Sequence, residues 1–304
     1  MKTSLSIGTR CSPLGLAQTY EVIAGLEKFY PHLKNKIEIK CIKTTGDAIA
    51  DRSLTDVGGK SLFTKEIEVA LLKGEIDIAV HSMKDVTTDV PKGLFFPAML
   101  EREDPRDALI TYQKTPAEEF PPGTFFGTSS LRRQVYSLQT FPHLSITLLR
   151  GNVSTRLTKI EEGDVKVTLL AVAGLKRLGL LERATKILSL EECLPAVAQG
   201  VIGIQCREAD TEIRDILFPL NHPPTFHAVT TERSFMRVMQ GSCRTPLAGY
   251  AYLKENTLFF KGMISDPLGK NIHFVSSKGP LEDAIRIGEE AAHTLRAQQC
   301  LEPL

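Results

Sequence analysis

The sequence predicts an α/β protein with two open α/β domains followed by a small α+β domain, and three observations predict it. Apolar, β-like runs alternate with helix-period segments over roughly the first third of the chain. A second series of the same kind starts after EREDPRDAL, and the last part reads as a helix, three short strands and a closing helix. In the first series, strands over Leu5–Ile7, Ile37–Ile42 and Ile76–His81 bracket helices over Leu16–Phe29 and Phe63–Leu72, which is βαβ logic. In the second, strands over Ala108–Thr111, Thr124–Gly127, Ile146–Leu149 and Val167–Val172 alternate with helices starting at Ser130 and Val153. In the third, Pro224 and Thr225 open a helix. Strands near Leu247, Leu258 and Ile272 then lead to a helix from Leu281.

Composition excludes several classes. The chain has 304 residues, 42% hydrophobic and 24% charged, which suits a soluble globular protein with a sizeable core. Lys plus Arg number 37 against 36 Asp plus Glu, a net charge of +1, so no global field draws nucleic acid or an anionic membrane and any anion site must be built locally. The longest apolar run, Val167–Leu175, is too short to cross a bilayer and reads as a buried strand entering a turn. Six cysteines at 11, 41, 193, 206, 243 and 300 lack ligand spacing, so no metal site is expected. With no apolar leader legible at the N-terminus, these cysteines point to the reducing cytosol.

The chemistry-bearing residues gather where strands end. Arg10 follows the first strand, and Arg150 ends another, with Asn152 and Ser154 at the start of the next helix, where exposed amides welcome anions. GTSSLRRQ repeats the design: Thr128, Ser129 and Ser130 precede Arg132 and Arg133 in a first helical turn, where cations oppose the helix dipole. An anion in the site would offset that cost; the bland alternative is a capped helix with solvated arginines. Lys84 and Asp85 close the buried strand containing His81, at the edge where α/β sites sit. Alone they read equally as a surface ion pair, and His81 as a satisfied strand-end residue. Lys60 and Phe63 follow two glycines, as a mobile loop or a plain linker would. Cys243 sits in QGSCRTPLAG with Gly241 as the left-handed helix stop and Arg244 favouring thiolate; a small buried hydrophobe is the alternative reading there and the one kept for the other cysteines.

Together IGTRCSPLGLAQ, KTTGDAIADRSL, GGKSLFTKEIE, AVHSMKDV, EREDPRDAL, GTSSLRRQ, RGNVSTRL, AGLKRLG, LPAVAQGVIGIQCR and ERSFMRVMQGSCRTPLAGYA resemble the porphobilinogen deaminases, or hydroxymethylbilane synthases, in order and spacing across almost the whole chain. The resemblance implies two periplasmic-binding-protein-like α/β domains, 1–99 with 200–218 and 100–199, and a third domain, 219–304, bearing the cofactor cysteine. It implies a dipyrromethane cofactor made from two porphobilinogen molecules and held by a thioether at Cys243. Four further porphobilinogen units would be added with loss of ammonia, and hydroxymethylbilane released by hydrolysis for tetrapyrrole (haem) synthesis.

On the same resemblance Asp85 and Lys84 are catalytic. Lys84, Asp85, Ser129, Arg132, Arg133 and Arg150 hold the cofactor; Arg10, Ser12, Arg150, Arg156 and Arg177 hold substrate carboxylates; and Lys60 and Phe63 belong to a loop over the site. Guanidinium forks suit a chain carrying an acetate and a propionate on every ring. A cytosolic monomer is expected, with porphobilinogen as its small-molecule substrate and neither nucleic acid nor membrane as partner. Thr87, Gln205 and Ser242 depart from the familiar family pattern, Thr87 in a way that would loosen the loop after Asp85. The rival is a solute-binding protein, since two α/β lobes with arginines at helix starts would also suit an anion receptor.

Overall fold

The computed structural model describes residues 2–48, 61–241 and 245–301, so Lys60, Ser242, Cys243 and Arg244 lie outside the described residues. The chain divides into two compact units. The first comprises Met1–Ala50, Gly59–Glu103 and Gly200–Phe226; the second contains Asp104–Gln199 and His227–Leu304.

In chain order the first stretch forms β1 (Leu5–Arg10), α1 (Pro13–Phe29), β2 (Ile37–Ile42), α2 (Thr45–Ala48), α3 (Lys65–Leu72), β3 (Ile78–Ser82) and β4 (Leu94–Met99). The next forms β5 (Asp107–Thr111), β6 (Phe125–Gly127), α4 (Leu131–Thr140), β7 (Ser145–Thr147), α5 (Val153–Glu161), β8 (Val167–Ala171), α6 (Val172–Arg177) and β9 (Lys186–Ile187). Then come β10 (Ile202–Arg207), α7 (Thr211–Leu217), α8 (Pro223–Val238), β11 (Leu247–Lys254), β12 (Thr257–Ser265), β13 (Ile272–Pro280) and α9 (Ala284–Leu301).

The first unit's sheet runs β2-β1-β3-β10-β4, with β10 antiparallel to both neighbours. Its strands read as apolar runs because both faces are covered. Leu5, Ile7, Val80, Ile202 and Ile204 pack with Val22 and Leu26 of α1 and Ile213 and Leu217 of α7, while Ile67 and Leu71 of α3 pack with Ala79 and Leu94. The second unit's larger sheet, β7-β6-β8-β5-β9, has the same logic: two parallel neighbours on one side, then β5 antiparallel to both β8 and β9. Helices α5 and α6 contribute Leu157, Ile160 and Leu175 to one of its cores, and the residues just after α4 contribute Phe141 and Leu144 to the other. Among the described residues the third sheet is the antiparallel meander β11-β12-β13, packed on α8 through Phe235 against Phe260, 4.9 Å between centroids.

The expected class, two open α/β sheets and a small α+β region, is therefore the one adopted, with local differences. The apolar run from Val167 enters α6 directly and makes no turn. Helix α8 begins at Pro223, one residue before the predicted opening. The left-handed residue that ends it is Gln240, φ 54°, and not Gly241, whose amide donates to the Met236 carbonyl at 2.9 Å. A five-residue-back bond of that kind demands positive φ at the preceding position, so the strain falls on glutamine.

Candidate functional site

In the first unit, parallel strands β1 and β3 end side by side and deliver Arg10 and, through the one-turn helix Met83–Asp85, Lys84 and Asp85 to one edge. A cavity of about 60 Å³ there is lined by Arg10, Ser12, Phe63, Ser82, Lys84 and Asp85 among others. Arg10 is the hub. Its Nη1 lies 3.5 Å from Asp85 Oδ2, its Nε donates to Asp47 at 3.2 Å, and its guanidinium lies 4.5 Å from the Phe63 ring centre. Gly46 makes room for that ring, since a Cβ there would meet Phe63 at 2.3 Å. Burial pushes the Asp47 carboxyl up, but bonds from Arg10 and Thr44 outweigh it and hold Asp47 below the usual carboxylate range.

Ser12, expected at a substrate carboxylate, caps α1 by accepting from the Gly15 amide at 3.1 Å. The Ser82 hydroxyl is tied to the Gln18 carboxamide at 2.8 and 3.0 Å. Thr87, expected to loosen the loop, uses its hydroxyl to donate to the Asp89 carbonyl at 3.0 Å and to meet the Ser61 hydroxyl at 3.3 Å, contacts that tie the loop down. His81 also lines the cavity, and its Nε2 lies 3.0 Å from Gln205 Oε1, while Gln205 donates to Glu68 at 3.3 Å. Burial drives His81 down to about 4 despite the Gln205 bond, so its ring is neutral. A wider hollow of about 560 Å³, lined by Ser4, Lys36 and Asp77 among others, contains none of the expected site residues.

In the second unit, GTSSLRRQ is the β6–α4 junction: Ser130 is the N-cap, and Thr128 accepts the Ser130 amide at 3.0 Å. Arg132 and Arg133 are not solvated but buried, and both reach Asp107, which opens β5 and is fully buried. Arg132 Nη1 is 2.7 Å from Asp107 Oδ2, and Arg133 Nη2 is 2.8 Å from Oδ1. Gln199 also donates to Asp107 at 3.0 Å, and Arg132 to the Leu194 carbonyl at 3.0 Å. Burial would raise the Asp107 carboxyl, but two guanidiniums hold it far below its ordinary value. Two cations thus face one anion, leaving one positive charge uncompensated within this cluster. Arg132 Nε and Arg133 Nε are buried donors with no acceptor among the described residues.

Arg150 follows as a further buried guanidinium, with Asn152 capping α5 through the Thr155 amide at 2.9 Å. Arg156 Nε donates to the Gly151 carbonyl at 2.9 Å, while Arg177 ends α6 half-exposed. Glu232 of α8 is fully buried and accepts the Ala198 amide at 2.6 Å and the Ala251 amide at 2.7 Å, pinning the helix that leads toward Cys243.

The surplus of buried guanidinium suits a group bearing carboxylates, such as an acetate- and propionate-substituted dipyrrole. Sequence reasoning missed Asp47, Asp107, Gln18 and Gln199. Asp47 and Asp107 lie inside strings quoted for other reasons, and two adjacent arginines at a helix start were a signal that a buried counter-ion was needed.

Residues 5–215 match the family model for the porphobilinogen deaminase dipyromethane cofactor binding domain, and 226–297 that for the porphobilinogen deaminase C-terminal domain. The chloroplastic porphobilinogen deaminase of Oryza sativa subsp. japonica is 49% identical over 299 residues, 97% of this chain and 84% of that protein. That of Nitrobacter winogradskyi is 48% identical over 291 residues, 96% of this chain and 92% of that protein. The chain therefore belongs to the porphobilinogen deaminase family.

Proposed function

We propose that this chain condenses four porphobilinogen molecules, with loss of ammonia, onto a dipyrromethane primer held by Cys243, and then releases hydroxymethylbilane by hydrolysis. The observation that carries the reading is the Arg132–Asp107–Arg133 cluster, whose unbalanced positive charge and unfilled donors lie in the segment that matches the cofactor-binding domain. Arg132, Arg133, Arg150 and Ser129 would hold the primer's carboxylates, with Lys84 and Asp85 as its remaining partners. When bound, that group supplies the free pyrrole carbon to which each unit is added.

In the first unit Asp85 faces the substrate. Departure of ammonia leaves an electrophilic, cationic pyrrole, and a fixed carboxylate stabilises that charge and accepts the pyrrole proton. Asp47 takes the closer grip on Arg10, so Asp85 keeps oxygen surface for the substrate at 30% side-chain exposure. Lys84 supplies the complementary cation, and Arg10, Ser12, Arg156 and Arg177 take substrate carboxylates, with Phe63 and Lys60 on the covering loop. The chain works as a monomer of three domains in the cytoplasm; no described helix is long and apolar enough to cross a membrane.

Intact mass under denaturing conditions tests this directly. The parent protein is expected to carry the mass of two condensed pyrrole units, and Cys243→Ala to lack it. An unchanged increment in the variant would remove Cys243 from its role.

A further inference from the structure

Two cysteines expected to be small buried hydrophobes are exposed, Cys11 and Cys41, whereas Cys193 and Cys206 are buried. The exposed pair lies close together in the fold, Cys41 on β2 and Cys11 just past the end of the neighbouring β1. β1 runs parallel to β2 with Thr9 opposite Cys41 and Arg10 opposite Ile42, so Cys11 is the first residue beyond the ladder. After burial, the neighbouring Cys41 is among the groups that hold the Cys11 thiol above its ordinary value, in keeping with the closeness that the ladder gives the two residues. The surroundings tie this pair to the site. Cys11 stands between Arg10, the hub of the cavity, and Ser12, the cap of α1. Cys41 lies on β2, whose next turn carries Thr44 and Asp47, the acceptor that positions Arg10.

We propose that Cys11 and Cys41 form a reversible disulfide, a thiol-modification site that takes small-molecule disulfides as oxidant and displaces Arg10 when closed. One thiolate attacks the reagent disulfide and expels one small thiol; the second cysteine attacks the resulting mixed disulfide and expels the other. Two electrons pass to the reagent and both cysteine protons leave, so two cysteines and one small disulfide become one protein disulfide and two small thiols. Because the Sγ–Sγ bridge has narrow geometric limits and Cys11 lies just outside the ladder, closure draws residue 11 toward β2. The Arg10–Asp47 and Arg10–Asp85 contacts then shift together. Burial, the neighbouring Cys41 and Asp47 raise the Cys11 thiol against the opposing Lys43, so exchange quickens as pH rises.

The effect on turnover rests on the proposed deaminase chemistry; the bond itself does not. Cofactor-loaded protein would be incubated with oxidised glutathione, followed by peptide mapping and a porphobilinogen-consumption assay before and after dithiothreitol. The expected result is a Cys11–Cys41 linked peptide with turnover slowed about tenfold or more, since small displacements of a positioned group cost that much, and full recovery on reduction. Cys11→Ser and Cys41→Ser should keep the reduced rate and resist the oxidant. Absence of the linked peptide would overturn the proposal, and a linked peptide with unchanged turnover would overturn its displacement of Arg10. Reduced protein that consumes no porphobilinogen would count against the deaminase reading alone, because the linked peptide is scored independently.

Discussion

Asp85 and Asp107 show how differently one carboxylate can be used. Asp107 is sealed between Arg132 and Arg133, whereas Asp85 sits 3.5 Å from a guanidinium that Asp47 already holds. Replacing Asp85 with Asn keeps its size and removes the charge. Single-turnover porphobilinogen consumption by cofactor-loaded Asp85→Asn should slow by roughly a hundredfold, with Asp85→Glu retaining more, because a preorganised charge is lost in one and misplaced in the other. Melting temperature controls for folding, and near-parental turnover by Asp85→Asn would reduce the residue to an ion-pair partner. The strand-end positions of Arg10, Lys84 and Asp85 were legible in the sequence because polar residues closing an apolar run announce a sheet edge. Asp107 was not, since an acid at the start of an apolar strand gives no sign of what lies across from it until Arg132 and Arg133 are placed.

Between elements, the His81–Gln205–Glu68 chain joins β3, β10 and α3. The ring's ordinary value of 6.5 falls to about 4 in the folded protein. Between those values the unfolded chain takes up a proton that the folded one refuses, so stability drops as pH falls through that window, by about 3 kcal/mol in total. Burial raises the Glu68 carboxyl and acts in the opposite sense, but His81→Gln leaves that group in place. Urea unfolding from pH 7 to pH 4 should therefore lose stability more steeply for the parent than for His81→Gln, and parallel curves would remove the imidazole from the account. Helices α8 and α9 make another junction: a Cβ on Gly288 would meet the Thr231 carbonyl oxygen at 2.2 Å. Gly288→Ala should cost about 1–3 kcal/mol by overpacking, read from its denaturation midpoint. Sequence periodicity found most of these elements and missed β4, where Pro97 interrupts the pattern. An edge strand tolerates that proline, and β4 is an edge.

At the scale of the whole molecule, the uncompensated guanidinium charge in the second unit makes the protein's stability depend on what it carries. Protein loaded with its primer should melt roughly 5 °C or more above Cys243→Ala, as expected when a bound anion relieves a few kcal/mol of buried charge; coincident melting curves would mean that the cluster is already balanced. The alternation of strands and helices made both sheets legible, but the insertion of β10 between β3 and β4 was not readable from periodicity, because nothing local says that a strand near residue 204 belongs beside one near residue 80. That insertion sets an order for biosynthesis. A ribosome has to release some two hundred residues before the first sheet acquires its inner strand, and until then β3 and β4 each expose an open edge. The nascent chain is thus at its most aggregation-prone midway through translation, and the second unit's larger sheet, whose five strands lie between Asp107 and Ile187, is complete before the N-terminal one.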